Sequence, residues 1–468
     1  MNMEKIKNLV LIGLVMLSIA FSIQLWLDVP IERIMANPNY FPGQDSEKDY
    51  DLSNFVLPRW IVVNFGGPSR TKLYRDSSTY RFYNDIYKEV SDVLLYVMNN
   101  NQNLAFSQVT REELNEAKLS KSVEVEYDDS FELQLMEKVF HPKAGQQSIP
   151  VSSIKNITLT VSTESALYME DADKGVIHKV MLPGTYREIN QLIDRLEERD
   201  PVKYWTWEEI GFSNNEFFYL PLEIYLPLEM SSFNLPVAVA VKELETEDQG
   251  KMGIFASSFF KDMSIVRKIT EINGSLIYTD GQSALKVDTD GFVEYLVYSI
   301  GGNSKEQEQI GDVVDLALNY IDSHGGIPEQ LYLDKIENIT ENGYKGYLLK
   351  FNYGYNGLPF FSNGKLTQSA IEVTVVNGRV VNYKRLVYRI TKARVEQKPL
   401  LFPNAALDVI ARRPGDLETD GRTVIVDMYL GYCIDIKGDK EYQAVPVWYI
   451  KSENKEFIID AYQGSLMN

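Results

Sequence analysis

The feature that most constrains this chain lies near its N-terminus. Leu9 to Leu27 reads LVLIGLVMLSIAFSIQLWL, 19 residues without a charge. At about 1.5 Å of rise per helical residue, that run comes close to the roughly 30 Å hydrocarbon core of a bilayer. Lys5 and Lys7 precede it and Asp28 and Glu32 follow it. Basic residues favour the cytoplasmic side, so the N-terminus is expected inside and everything after Trp26 outside. A cleaved signal peptide is the competing assignment. The run exceeds an ordinary signal core and no clear A-x-A site precedes Asp28, which favours an uncleaved anchor. Residues 1–8 are then cytoplasmic and 9–27 transmembrane. Ser18 and Ser22 stand at i and i+4 within the anchor. A partner in the same membrane would meet this small-residue face or Gln24.

Beyond the anchor the chain is polar and acidic. With 66 acidic against 47 basic residues and a formal net charge of -19, it opposes nucleic-acid phosphate, so no nucleic-acid partner is expected. Cys433 is the single cysteine and cannot form an internal disulfide. An exported body built this way suits a Gram-positive or similar bacterial surface. His141, His178 and His324 are too scattered for a histidine-built metal site.

Residues 28–57 lack periodicity and read as a juxtamembrane connector. An α+β unit is expected over 58–250. Trp60 to Phe65 is a buried-strand pattern closed by Gly66-Gly67-Pro68, and Phe82, Ile86, Val90, Val93, Leu94 and Val97 share one helical face. Ile189, Leu192, Ile193 and Leu196 define a second helix stopped by Asp200-Pro201. A middle unit over 251–392 alternates strand candidates (Phe255 to Phe260, Leu276 to Tyr278, Val293 to Tyr298) with Asp-Gly and Asn-Gly turns. A helix through Ile310 to Ile321 follows, then strands over Tyr344 to Tyr353, Ile371 to Val376 and Val380 to Ile390. Asn377-Gly378 is a hairpin dipeptide. In 393–468 a helix over Asn404 to Arg412 again precedes strands, Thr423 to Ile436, Ala444 to Lys451 and Phe457 to Tyr462. This recurrence suggests a duplicated helix-then-sheet module. The expected fold is thus α+β: one transmembrane helix and a three-domain ectodomain whose last two domains are similarly built.

No catalytic constellation emerges. S-x-x-K occurs at Ser69/Lys72, Ser152/Lys155, Ser258/Lys261 and Ser283/Lys286 without any K-T-G, and G-x-S-x-G, H-E-x-x-H and the P-loop pattern are missing. Cys433 sits inside a strand pattern as a small hydrophobe, and His324 is placed to interact with a helix C-terminus. Asp171, Asp173 and Gly175 begin like a calcium loop, but position twelve is Leu182; this segment and Asp288, Asp290 and Gly291 read as turns. Trp205 and Trp207 would share one face of a strand, more often core than ligand platform. Catalytic, cofactor-binding and metal residues are therefore assigned as none.

A set of scattered signatures nevertheless resembles a known family. FFKDMSIVRKI (Phe259 to Ile269), LIYTDGQSALKVDTDGFVEY (Leu276 to Tyr295), VDMYLGYC (Val426 to Cys433), PVWYI (Pro446 to Ile450) and IIDAYQG (Ile458 to Gly464) follow the lone anchor. This arrangement resembles the YycH family, and the tail is similar to YycI proteins and to PepSY-type modules. The resemblance implies a non-enzymatic, bitopic regulator that associates with a WalK (YycG) sensor histidine kinase, together with a YycI-type protein, in a two-component system controlling cell-wall metabolism. It also implies an N-terminal α/β domain followed by two similarly built domains. The other function class left open is an exported wall-active enzyme or a module binding peptidoglycan or peptide, using an acidic, aromatic cleft.

Overall fold

The computed structural model of the protein describes residues 48–75, 80–143, 148–162, 164–211, 217–230, 233, 235–298, 309–341, 343–362, 369–394, 399–413, 422–435 and 442–467. The anchor expected over 9–27 lies outside them. Among the described residues no helix is long and apolar enough to cross a membrane.

The first unit is one antiparallel sheet with its longer helices on one face and a short helix on the other. It comprises β1 (Trp60–Gly66), β2 (Ser69–Tyr74), α1 (Tyr80–Asn100), β3 (Phe106–Val109), α2 (Arg111–Ala117), β4 (Ser122–Glu132), α3 (Leu133–Phe140), β5 (Ser153–Thr160), β6 (Ala166–Asp171), β7 (Val176–Met181) and α4 (Arg187–Glu197). The strand order is β2-β1-β4-β5-β6-β7-β3. Side chains alternate along a strand. Ile61, Val63, Val123, Val125, Ile157 and Leu159 therefore enter the core on one face, where Ile86, Val90 and Leu94 of α1 and Ile189 and Ile193 of α4 join them. Tyr83 is buried on α1, whereas Phe82 only packs against the core.

The opposite face carries Trp60, Lys72, Glu124, Glu126, Asn156 and Glu170. The pairings Trp60↔Glu126, Glu126↔Asn156 and Asn156↔Glu170 set three of these in one row across the sheet with Trp60. Part of this face is covered by β8 (Tyr204–Thr206), which pairs with β10 (Tyr225–Pro227); Tyr204 and Tyr225 pack against Trp60 and Val62. Because β8 ends at Thr206, the two tryptophans do not share a strand face: Trp205 is half-buried and Trp207, beyond the strand, is buried.

After β9 (Phe218–Tyr219) and β11 (Val237–Lys242), α5 (Gln249–Ser257) takes in Phe255, within the stretch expected to be a strand. The Asp248 side chain accepts from the Lys251 N–H at 3.1 Å and starts the helix there. The middle sheet contains β12 (Arg267–Thr270), β13 (Leu276–Thr279), β14 (Ser283–Val287) and β15 (Phe292–Val297). It continues after α6 (Ile310–Ser323) with β16 (Tyr332–Glu341) and β17 (Tyr344–Asn352). The chain then forms β18 (Gly354–Tyr355) and β19 (Leu358–Ser362), and returns to the middle sheet as β20 (Ile371–Val376) and β21 (Arg379–Leu386). The order is β12-β13-β14-β15-β21-β20-β17-β16, wholly antiparallel. Asn377 and Gly378 have φ of 52° and 67°, as a type I′ hairpin turn requires.

The run Val380 to Ile390 is two strands. At Val387 the backbone N–H donates to the Gly291 carbonyl, and the chain leaves for a third sheet as β22 (Tyr388–Arg394). That sheet is completed by α7 (Pro403–Ala411), β23 (Thr423–Asp435), β24 (Tyr442–Ser452) and β25 (Glu456–Asp460). Its order is β18-β19-β23-β24-β11-β22, with β25 on β24 and β9 on β23; β19 and β9 run parallel to β23. The strand β11, which precedes residue 250 in sequence, thus lies in the last sheet beside β24 and β22. One hydrophobic core runs from Leu52 and Val56 through all three sheets to Ile459 and Ala461.

Candidate functional site

Where the three sheets converge, two arginines bridge them. Arg59 immediately precedes β1. Its guanidinium lies between the rings of Trp60 (4.0 Å) and Tyr429 (3.6 Å), donates from Nη1 to Asp427 Oδ2 at 2.7 Å, and lies 3.5 Å from Asp128. Arg75 immediately follows β2. It lies 3.6 Å over the ring of Tyr332 and 3.5 Å from the other oxygen of Asp128. Arg59 therefore ties the first sheet to the third, Arg75 ties the first to the middle one, and Asp128 is shared. Planar guanidinium suits this use, since it stacks on rings while ion-pairing in its plane.

The aspartates come from irregular strand positions. The β4–β5 register jumps between Glu126 and Phe131, leaving Asp128 and Asp129 off the ladder. The β16–β17 register jumps across Asp334, and the β23–β24 register shifts between Ile425 and Asp427. A bulge adds a residue and re-aims side chains. Each of the three sheets uses one to present an acid at the junction. Asp129 also accepts from the Ile336 N–H at 3.4 Å, across to the middle sheet.

Burial perturbs these groups. Asp128 is pushed up by desolvation and by the neighbouring Asp334, and the two arginines only partly offset this. Asp334 is likewise raised by burial. Glu126, which accepts from the Trp60 indole N–H at 2.8 Å, is raised by burial as well. Lys72 is lowered to about 8 by desolvation, against the pull of Glu126 and Asp427.

The junction forms a partly open cavity of about 520 Å³, with walls from all three sheets: Trp60, Lys72 and Glu126 from the first, Tyr332 and Asp334 from the middle one, and Asp427 and Tyr429 from the last. The Lys72 ammonium lies 3.9 Å over the Trp60 ring. Lys72 is only 7% exposed, and its ammonium makes no hydrogen bond or carboxylate ion pair with the described residues. Arg59 Nη2 is also buried without a hydrogen-bond partner among them.

The residues singled out from sequence fall elsewhere. Ser18, Ser22 and Gln24 lie outside the described residues. Cys433 is buried with Phe361, Val447, Tyr449 and Ile458. His324 closes α6, its Nδ1 2.7 Å from the Tyr320 carbonyl oxygen and its ring stacked on Tyr320 at 3.8 Å; burial lowers it to about 4, so it is neutral at pH 7. Asp171 takes N–H groups of Ser152 and Lys174 at the β6–β7 turn, and Asp288 to Gly291 turn β14 into β15. Ser69 and Lys72 are three apart on β2, hence on opposite faces. Sequence reasoning missed the junction itself. Its available signal was the alternation of Glu124, Glu126 and Asp128 with Val123, Val125 and Tyr127 in β4, one face acidic and the other core.

Fold and site together define an α+β protein of three largely antiparallel sheets locked by a buried ionic junction. Comparison with known proteins gives its kinship. The profile of the YycH protein C-terminal domain matches residues 232–464, a stretch that begins just before β11. The two-component system WalR/WalK regulatory protein YycH of Bacillus subtilis (strain 168) is 21% identical over 480 residues, covering 97% of this chain and 96% of that protein. The crystal structure of YycH from Bacillus subtilis superposes with a TM-score of 0.58 at 15% identity, covering 89% of this chain and 99% of that one. The chain belongs to the YycH family.

Proposed function

We propose that this protein is a membrane-anchored, extracytoplasmic regulator of a WalK-type sensor histidine kinase. In this reading it acts together with a YycI-type partner and breaks no bond. The observation that carries it is the near end-to-end relation to a protein named as a WalR/WalK regulatory protein. The uncharged run Leu9 to Leu27 supplies the anchor and orients the body outward. A regulator needs only a difference in binding energy between two kinase states, and about 1.4 kcal/mol shifts their ratio tenfold.

The described end of the connector supports a mechanical link between anchor and body. Tyr50 donates to Asp322 on α6 at 2.8 Å, Lys48 pairs with the same carboxylate, and the Leu333 N–H donates to the Phe55 carbonyl at 2.9 Å. Leu52 and Val56 are buried in the core. Residues 48–56 are thereby held to the middle sheet and the core. The test is co-purification of the full chain with the WalK-type kinase of its own genome. The full chain is expected to be retained and a chain lacking residues 1–27 to be retained less. Failure of the full chain to associate with either the kinase or a YycI-type protein overturns the proposal.

A further inference from the structure

We propose that the cavity at the three-sheet junction binds a short peptide through its free carboxylate, with the Lys72 ammonium and the Arg59 guanidinium as the anion-recognising groups. This goes beyond the regulatory role and rests on the cavity alone. At about 520 Å³ the space is of the size that holds small ligands.

Its chemistry points to an anion. Burying a cation without an acceptor is costly, and buried donors are nearly always satisfied. Yet Lys72, 7% exposed and lining the cavity, has aromatic faces beneath it (Trp60 at 3.9 Å, Tyr204 at 5.6 Å, Tyr225 at 5.9 Å) and no hydrogen-bond or ion-pair acceptor among the described residues. Arg59 holds Asp427 with Nη1 while its Nη2 has no partner among the described residues. A carboxylate oxygen reaching either cation would complete its donors with a charge-assisted bond.

The remaining walls narrow the ligand class. Glu126, Asp128, Asp129 and Asp334 also face this space, so a compact dianion such as phosphate would be repelled. A molecule with one carboxylate and N–H or ammonium donors further along is matched by the same acids as acceptors. A short peptide has that distribution. Because its walls come from three sheets, occupancy would brace them against one another.

Isothermal titration of the purified full-length chain in detergent tests this, with tetra-alanine, its C-terminal carboxamide and inorganic phosphate as probes. Tetra-alanine has no charged side chain, so its termini alone carry recognition. It is expected to bind at one site, with the carboxamide at least tenfold weaker and phosphate weaker still. Lys72→Met, which keeps the apolar stem over Trp60, should lose at least tenfold in affinity while its unfolding midpoint does not fall. Absence of tetra-alanine binding, equal affinity for acid and carboxamide, or tighter binding of phosphate overturns the proposal. So does undiminished binding by Lys72→Met. The acid-against-carboxamide comparison uses the wild-type chain and needs no variant to fold. The assay contains no kinase, so its failure leaves the regulatory assignment standing.

Discussion

Lys72 concentrates the energetics of the junction in one side chain. Its ammonium is desolvated, the pull of Glu126, Asp427 and Glu124 is too weak to compensate, and Arg59 adds repulsion, so its pKa falls from 10.5 to about 8. The unfolded chain then holds that proton more tightly than the folded one. Below pH 8 both states are protonated and the full penalty applies, about 3 kcal/mol at 1.36 kcal/mol per pK unit. Between pH 8 and 10.5 the folded protein releases the proton first, so this residue's contribution to stability improves as pH rises through that window. Lys72→Met is accordingly expected to raise the stability of the unliganded chain at pH 7 by up to about 3 kcal/mol. Its advantage over wild type should shrink as pH approaches 10.5. Urea denaturation of both chains at pH 7 and pH 9.5 checks this, and a variant less stable than wild type at pH 7 would assign Lys72 a structural role.

At the scale of elements, periodicity was a good guide to regular structure and a poor one to the junction. The helices α1, α4, α6 and α7 and the Asn377-Gly378 hairpin follow from spacing and turn chemistry, because a repeating pattern reports a repeating geometry. Asp128, Asp334 and Asp427 are placed by register shifts, where the pattern breaks, and nothing local says that three such breaks converge. The strand break at Val387 was hidden for the same reason: the apolar run continues while its hydrogen-bond partners change sheets. Gly357 is another long-range requirement. In the β18–β19 hairpin it has φ of 75°, and a Cβ there would run into the Arg75 carbonyl oxygen. Gly357→Ala is therefore expected to cost about 1–2 kcal/mol from the left-handed backbone alone, and more from displacing the hairpin that docks beside Arg75. A fall in the thermal midpoint checks the first effect. Changed near-ultraviolet circular dichroism from the tyrosines and tryptophan of the junction checks the second.

The whole molecule is more interleaved than its order of units along the chain suggests. The third sheet takes β11 from before the middle sheet, β19 from within it, β22 directly after β21, and only then β23, β24 and β25. A cut at residue 250 separates β11 from its neighbours β22 and β24, and a cut at 392 divides β22 itself. Either leaves sheet edges with unpaired backbone groups beside exposed core, which water satisfies only at the loss of packing. The Arg59–Asp427 ion pair and the stacking of Arg75 on Tyr332 add ties that no single unit can complete. Multi-unit chains commonly melt in steps. Here calorimetry of residues 48–467 is predicted to show one dominant transition, with calorimetric and van't Hoff enthalpies in agreement. The fragment 251–392 should unfold without a cooperative transition. Three resolved transitions, or a fragment that melts as sharply as the whole, would show that the sheets fold independently. The junction would then be a contact between finished units, unable to transmit a ligand's or an anchor's displacement from one sheet to the others.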